Sequence, residues 1–438
     1  MSVSNRLKVI SISVGAILIC TDGQAQAPAP GSPGPPPTRQ ERPDERTRSA
    51  REAEAYDARG VRLGSFMLFP ALEVDEAFND NVFAVSASNG PIASFLQTIR
   101  PTAELRSLWS NHMLNMYVRG DIGFYTSAPA QNYQDVSVGA EGRLDIQRNW
   151  NVYGAASFNR KHEDPGLPNT VSGPVGVTIY NQWSARAGYY QKINRLSGRV
   201  EFAADKLTFF DNGLGVAEGV IPNDNRDRTE LRESLRLGYE FLNGYEFWVR
   251  GGFNQRLYVD PVDVTGFARN SSGFDVVGGI TIDVGGLTTV EAFAGYLQQN
   301  YVNPGTAPLA GPQFGLTAYW NPLPDVWVRP YVRRTVNEAA YVGDSGYLNT
   351  SMGATATYNL FPNVRLNGGA DYTIADYQSF SSTNPRYDQY VAASVSVTYL
   401  PVNQFYIEPS YRFVHRTSSL PGLDYSQNLV MLRLGMRL

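Results

Sequence analysis

The chain has 438 residues, more than one soluble domain ordinarily holds, and a net charge of −4 that gives no electrostatic basis for binding nucleic acid. Its mean hydropathy of −0.28 matches a soluble protein, but a membrane barrel averages to the same value because lipid-facing and lumen-facing residues alternate. An aromatic content of 12%, with 26 Tyr, and 41 Gly fit a barrel with aromatic girdles better than a helical protein.

The first element has the pattern of a secretory signal over residues 1–25. Arg6 and Lys8 supply positive charge, Val9 to Ile19 is a short apolar run, and Gly23, Ala25 and Ala27 are small. Cleavage is expected after Ala25, since Pro28 would directly follow a cut at Ala27. The single cysteine, Cys20, lies in this segment behind the bulky Ile19, which speaks against a lipoprotein signal. The mature chain then has no disulfide. No other run reaches the ~18 consecutive apolar residues of a spanning helix, so any membrane insertion is by strands.

Residues 26–62 form a Pro-rich and then charged linker, Pro28 to Pro37 followed by Arg39 to Arg62. Such a composition cannot bury a core. It reads as a periplasmic spacer or as a contact for a periplasmic partner or peptidoglycan, and it is too short for a globular plug.

From Phe66 the apolar period is two, and residues 63–438 read as one barrel. Tyr245, Phe247, Val249, Phe253, Leu257 and Val259 share one face, against Glu246, Arg250, Asn254 and Arg256. Val136, Val138, Ala140, Leu144 and Ile146 likewise oppose Asp135, Ser137, Glu141, Arg143 and Asp145, and Val430, Leu432, Leu434, Met436 and Leu438 oppose Arg433 and Arg437. Short connections at Ser110–Asn111, Arg148–Asn149, Asn194–Arg195, Leu242–Gly244, Gly285–Gly286, Pro322–Asp325, Phe361–Asn363 and Pro401–Asn403 alternate with longer polar ones. The longer ones fall near 79–93, 126–131, 163–177, 211–225, 261–271, 303–311, 339–345, 379–385 and 417–423.

This alternation predicts an all-β fold, a transmembrane antiparallel up-and-down β-barrel of about 18 strands in the bacterial outer membrane. Both termini would be periplasmic. Aromatics beside the short turns, Trp109, Trp150, Tyr245, Phe247, Trp320, Trp327, Phe361, Tyr399, Phe405 and Tyr406, are expected to form a girdle there. An open edge would leave backbone groups unpaired in lipid, so the first strand must close on the last. Pro101, Pro330 and Pro409 each remove a ladder donor and are expected at bulges or strand ends.

Several local sequences resemble a known family. Phe66-Met-Leu-Phe-Pro-Ala-Leu-Glu-Val74 followed by Asn79-Asp-Asn-Val-Phe83 is similar to the opening of the outer-membrane β-barrel porins of alphaproteobacteria. Arg100-Pro101 with Glu104-Leu-Arg-Ser107, Trp109-Ser-Asn-His112, Arg143-Leu-Asp145, Arg160-Lys-His-Glu-Asp164 and Arg433-Leu-Gly-Met-Arg-Leu438 also resemble it. The resemblance implies an outer-membrane barrel and a link to exopolysaccharide export. The chain departs from many barrels in ending on Leu438 rather than an aromatic residue, with its apolar alternation intact.

Candidate pore-lining residues are Arg100, Glu104, Arg106, Arg119, Asp121, Glu141, Arg143, Arg199, Glu201, Arg232, Arg236, Arg250, Arg256, Arg329, Arg333, Glu408, Arg412 and Arg433. They either guide anionic solutes or form cross-strand ion pairs that stiffen the wall. Eighteen strands enclose enough volume for a channel. No catalytic residue is expected. His112 follows a short turn, and His162 and His415 lie near the opposite rim without a nucleophile in register. Asn223-Asp-Asn-Arg-Asp227 is rich in hard oxygens, but its arginine favours a solvated loop over a Ca²⁺ site. No Cys/His zinc spacing and no Gly-rich phosphate loop is present, so no metal or cofactor is expected.

The expected function is a passive conduit or exporter component for hydrophilic solutes or exopolysaccharide. The alternative is a structural or surface-interaction barrel with an occluded lumen, whose loops near 79–93, 163–177 and 211–225 do the work. No connection is long enough for a deep constriction loop, with inward folding of 211–225 left open. The expected partners are outer-membrane lipid, the barrel-assembly machinery and periplasmic export partners. The oligomeric state is open.

Overall fold

The computed structural model describes residues 56–168, 170, 176–210, 222–264, 266–284, 287–339, 344–379 and 386–438. The expected signal segment, most of the linker, the Gly285–Gly286 turn, most of the 211–225 connection and the 380–385 segment lie outside them.

A three-residue strand, β1 (Val61–Leu63), precedes eighteen longer ones. These are β2 (Phe66–Asn79), β3 (Ser94–Ser107), β4 (Met113–Tyr125), β5 (Tyr133–Gln147), β6 (Trp150–His162) and β7 (Ile179–Ile193). Then come β8 (Leu196–Phe209), β9 (Arg228–Leu242), β10 (Tyr245–Tyr258), β11 (Ser271–Val284), β12 (Thr288–Tyr301) and β13 (Leu309–Leu323). The last are β14 (Val326–Glu338), β15 (Asp344–Phe361), β16 (Val364–Ser379), β17 (Tyr387–Val402), β18 (Phe405–Ser418) and β19 (Tyr425–Arg437). Each of β2 to β19 pairs antiparallel with its chain neighbours, and β19 closes on β2 with Leu429 opposite Asn79 and Arg437 opposite Ala71. Among the described residues no strand edge of the barrel is left open.

The two-residue period gives the wall two chemistries. Along β10, Phe247, Val249, Phe253 and Leu257 are exposed, while Trp248, Arg250, Arg256 and Tyr258 are buried. In β19, Val430, Leu432, Leu434 and Met436 are exposed and Arg433 is buried. The apolar rows therefore face outward and the charged rows inward.

Short turns are built with left-handed residues. His112 (φ 64°), Asn194 (φ 54°) and Gly244 (φ 81°) each supply one. At Gly244 a Cβ would come within 2.5 Å of the Asp283 carbonyl, so glycine is required there for space as well as for φ. The expected girdle is mostly present, with Trp109, Phe247, Trp320, Phe361, Tyr399 and Phe405 exposed at this end. Trp327 and Tyr406 depart from it: Trp327 shares the inward row of Arg329 and Arg333, and the Tyr406 hydroxyl turns inward to donate to Glu73.

The three prolines mark neither bulges nor strand ends. Each keeps its pairing on one side, Pro101 with Leu72, Pro330 with Ala354 and Pro409 with Leu432. On the other side the ladder skips the proline and resumes in register, at Ile99↔Ile122 and Thr102↔Arg119 for Pro101. The same gap occurs opposite β13 and β17 for the other two. Register shifts sit mainly beside short turns instead, as at Asp145/Gln147 and Trp320/Leu323.

At the short-turn end the residues before the barrel are tied to it. Val61 pairs with Leu68, the Tyr56 carbonyl accepts from Arg437 Nη2 at 2.6 Å, and Asp57 meets Arg365 at 3.1 Å.

Candidate functional site

The inner wall carries every candidate pore residue on its inward-facing rows, and ion pairing divides them into two groups. In the first group each charge has an ion-pair partner, except Glu201, which has a tyrosine hydroxyl. Arg100 joins Asp75 and Asp121, Arg106 forks onto Glu104 at 2.7 and 2.9 Å, and Arg143 meets Asp145 at 2.8 Å. Glu141 faces Arg186 at 3.7 Å. Arg232 bridges Asp205 and Glu230, Arg236 reaches Glu291 at 2.9 Å, and Arg250 reaches Asp275 at 2.8 Å. Arg256 pairs with Glu338, and Arg433 gathers Asp75, Glu73 and Glu408. Glu201 accepts the Tyr153 hydroxyl at 2.9 Å. Opposite charges within reach on the same strand, on neighbouring strands and, for Arg236–Glu291 and Arg256–Glu338, three and four strands apart make the wall largely self-neutralising.

The second group has no ion pair among the described residues: Arg119, Arg199, Arg329 and Arg333. Three of them lie over inward tyrosines, Arg119 over Tyr117 (4.6 Å), Arg199 over Tyr190 (5.6 Å) and Arg329 over Tyr319 (5.1 Å). A guanidinium on an aromatic face keeps its charge and most of its donors available. Arg119 and Arg329 are exposed; Arg199 and Arg329 lie close to short turns, whereas Arg119 is at the middle of β4. Arg412 is on the same inner rows, near Asp371. Sequence pattern alone cannot separate the two groups, because pairing depends on which strands end up adjacent.

The long-connection end is built differently. The β6–β7 connection leaves on a buried fork, Arg226 onto Glu163 at 2.5 and 2.9 Å, and His162 stacks on Tyr133 with ring centroids 3.8 Å apart. It then crosses the mouth. The Gly166 carbonyl accepts from the Tyr425 hydroxyl of β19 at 3.2 Å, and the Pro168 carbonyl accepts from the Tyr377 hydroxyl of β16. From β7 to β16 is nine strands of the eighteen, half the circumference. Pro165, Gly166, Leu167 and Pro168 therefore form a strap across the bore. The expectation concerned a deep constriction loop; this strap lies at the mouth, at the long-connection end. The two prolines of Pro165-Gly-Leu-Pro168 were the available signal, since they stiffen a segment that must span open space.

Beneath the far anchor, Tyr377 stacks on Tyr347 at 4.6 Å, and Asp388, fully buried, is held by Arg386 and Arg416. Beside the strap's root, residues Asn223–Arg226 form a single 3-10 turn. Burial there pushes the Asp227 carboxyl above its usual range, against the Phe209 amide that donates to it at 2.7 Å. No group of metal-ligating side chains occurs among the described residues. His162 is fixed between Asp135 and Asp164, His112 exchanges hydrogen bonds with Asp145 at a short turn, and His415 meets Ser426. Each histidine therefore has a structural partner.

The family model described as "Putative beta-barrel porin 2" matches residues 54–438. No curated protein sequence matches the chain. Among solved structures, the Pseudomonas aeruginosa proteins OccK3 (OpdO) and OpdK superpose with TM-scores of 0.44 and 0.45 at 12% and 10% identity. Each alignment covers 85% of this chain, and 96% and 99% of the other. The ferric enterobactin receptor PfeA of the same organism gives 0.44 at 8% identity, over 85% of this chain and 80% of its own.

Proposed function

We propose that this chain, which belongs to the beta-barrel porin 2 family, is a passive outer-membrane conduit for small hydrophilic solutes with a preference for anions. The observation that carries the reading is the set of unpaired inward arginines, Arg119, Arg199, Arg329 and Arg333, in a wall whose other charges are largely matched. Fixed unneutralised cations along a water-filled path lower the energy of an anion and raise that of a cation. In this reading the short turns and both termini face the periplasm and the strap sits at the outer mouth.

A second reading, a barrel with an occluded lumen and a surface role, is favoured by the strap across the bore. Passage of an exopolysaccharide would require the strap to swing aside, so solutes small enough to pass beside it fit the geometry better. Single-channel recording of the refolded mature chain in a planar bilayer tests both. Stable steps with anion selectivity, abolished by joint replacement of Arg119, Arg199 and Arg329 with Gln, are expected. Silence from a barrel shown to be folded would overturn the conduit and favour the occluded reading. Joint replacement of Arg250 by Gln and Asp275 by Asn should leave selectivity within twofold, because the pair removed carries no net charge.

A further inference from the structure

The outward face of the wall is not uniformly convex. Across β3 to β8 it bears an apolar basin of about 840 Å³. Its floor is one row of register partners, Ala140↔Ala156, Ala156↔Ala185 and Ala185↔Ala204. Phe158 and Trp183, with ring centroids 4.4 Å apart, border it on the side of the long connections. The depression thus follows from alanines meeting alanines over four adjacent strands, with bulk beside them.

Two cations stand along that border. Arg160 is the next outward residue above Phe158, and Lys206 the next above Ala204. Register puts Arg160 level with Asn181 and Thr208, so Lys206 lies two strands across and two residues lower. At ordinary strand spacing and rise their Cα atoms are about 12 Å apart, a gap that two long side chains can close onto one anion. Neither has an ion pair among the described residues. The Arg160 guanidinium lies 5.3 Å over the Phe210 ring, which leaves its donors available. Between the two cations, the Asn181 amide oxygen is buried with no hydrogen-bond partner among the described residues. The remaining outward charges do not compensate. Glu233 is on β9, four residues deeper than Thr229, the register partner of Lys206, and lies outside the basin lining. Glu76, Arg334 and Asp376 are on β2, β14 and β16.

We propose that Arg160 and Lys206 hold the phosphate of an outer-leaflet lipid whose acyl chain lies in the basin. With the long connections outward, as in the conduit reading, both cations stand near headgroup level, and the site does not depend on whether the lumen conducts. A single rim cation can extend its charge to water at little cost. Two at one level, un-neutralised and directly above an apolar groove, complement a molecule with an anionic head and a hydrocarbon tail. Phosphate forms charge-assisted hydrogen bonds with guanidinium and ammonium alike. Trp183, 57% exposed and opposite Lys206, is of the residue type that favours the same interface.

The test is a titration of the refolded mature chain in detergent, read by native mass spectrometry, with bisphosphorylated lipid A and the same lipid stripped of phosphate as probes. The wild-type chain should prefer the phosphorylated form by about tenfold or more. Joint Arg160→Gln and Lys206→Gln should erase that preference, while Arg334→Gln, six strands from Lys206, should keep it. Ala185→Trp fills the floor and should weaken both forms. Heat-dependent gel mobility checks that each variant is still a barrel. Equal binding of the two forms by the wild-type chain, or a preference that survives the double replacement, overturns the proposal. Displacement by inorganic phosphate with no effect of Ala185→Trp assigns the cations to a free anion instead, and a lipid-free species of twice the mass assigns the face to a second copy. A barrel that binds the lipid as expected yet gives no conductance would overturn only the conduit reading.

Discussion

Asp75 is almost fully buried on the inner face of β2, where it accepts from Arg433 at 2.8 Å and is also bound by Arg100. Removing one member of such a group leaves the others charged and desolvated, which costs about 3 kcal/mol or more. Asp75→Asn should therefore lower the urea midpoint of the barrel in vesicles by an amount equivalent to ~3 kcal/mol. Arg119→Gln, at an exposed position with no ion pair among the described residues, should shift that midpoint by less than ~0.5 kcal/mol. Equal losses from the two substitutions would break the distinction between wall-stiffening and path-lining charges. The inward location of both residues was legible in the sequence, since period two assigns each residue a face. Their different pairing was not, because the partners of Asp75 lie on β3 and β19, 25 and 358 residues away.

Among elements, the strap and the proline-bearing strands show opposite relations to local sequence. Pro101, Pro330 and Pro409 look locally disruptive, yet the register survives because each lost donor affects one neighbour while the other ladder holds alignment. The strap looks like an ordinary outer connection, yet its course is set by hydroxyls on Tyr377 and Tyr425, 209 and 259 residues away. Nothing within Pro165 to Pro168 encodes those anchors. Replacing both tyrosines with Phe removes two donors while keeping the rings, so β16 and β19 should remain folded. Recordings from this double variant should show steps at least twice as large, or frequent transitions to such a level. Unchanged conductance and open-state noise would show that the strap does not limit flow.

For the whole molecule, alternation of short and long connections was enough to read the number of strands and their antiparallel order. Closure was inferred from the cost of an open edge in lipid, and β19 beside β2 meets that requirement. The shape of the outer wall was beyond such reasoning, because a basin needs small residues to coincide on adjacent strands. Ala140, Ala156, Ala185 and Ala204 are scattered in sequence and become neighbours only through register. Ending the chain after Leu423, before β19, removes the seam and exposes the edges of β2 and β18. Such a chain should lose the heat-dependent shift in gel mobility altogether. A retained shift would mean that seventeen strands can close without the final pairing.

The seam also imposes an order in time. Phe66–Asn79 is made first of the barrel strands and Tyr425–Arg437 last, yet these two must lie side by side before either is safe from other partners. For as long as the intervening strands take to arrive, β2 holds a bare ladder with exposed Leu72, Val74 and Phe78, the kind of edge on which chains cross-pair and aggregate. Glu73, Asp75 and Glu76 give that waiting strand a negative charge, which two such strands would have to bring together in order to pair with each other. Two of these acids, Glu73 and Asp75, later hold Arg433 at the seam, so charges that close the barrel also oppose the pairing of early chains with one another.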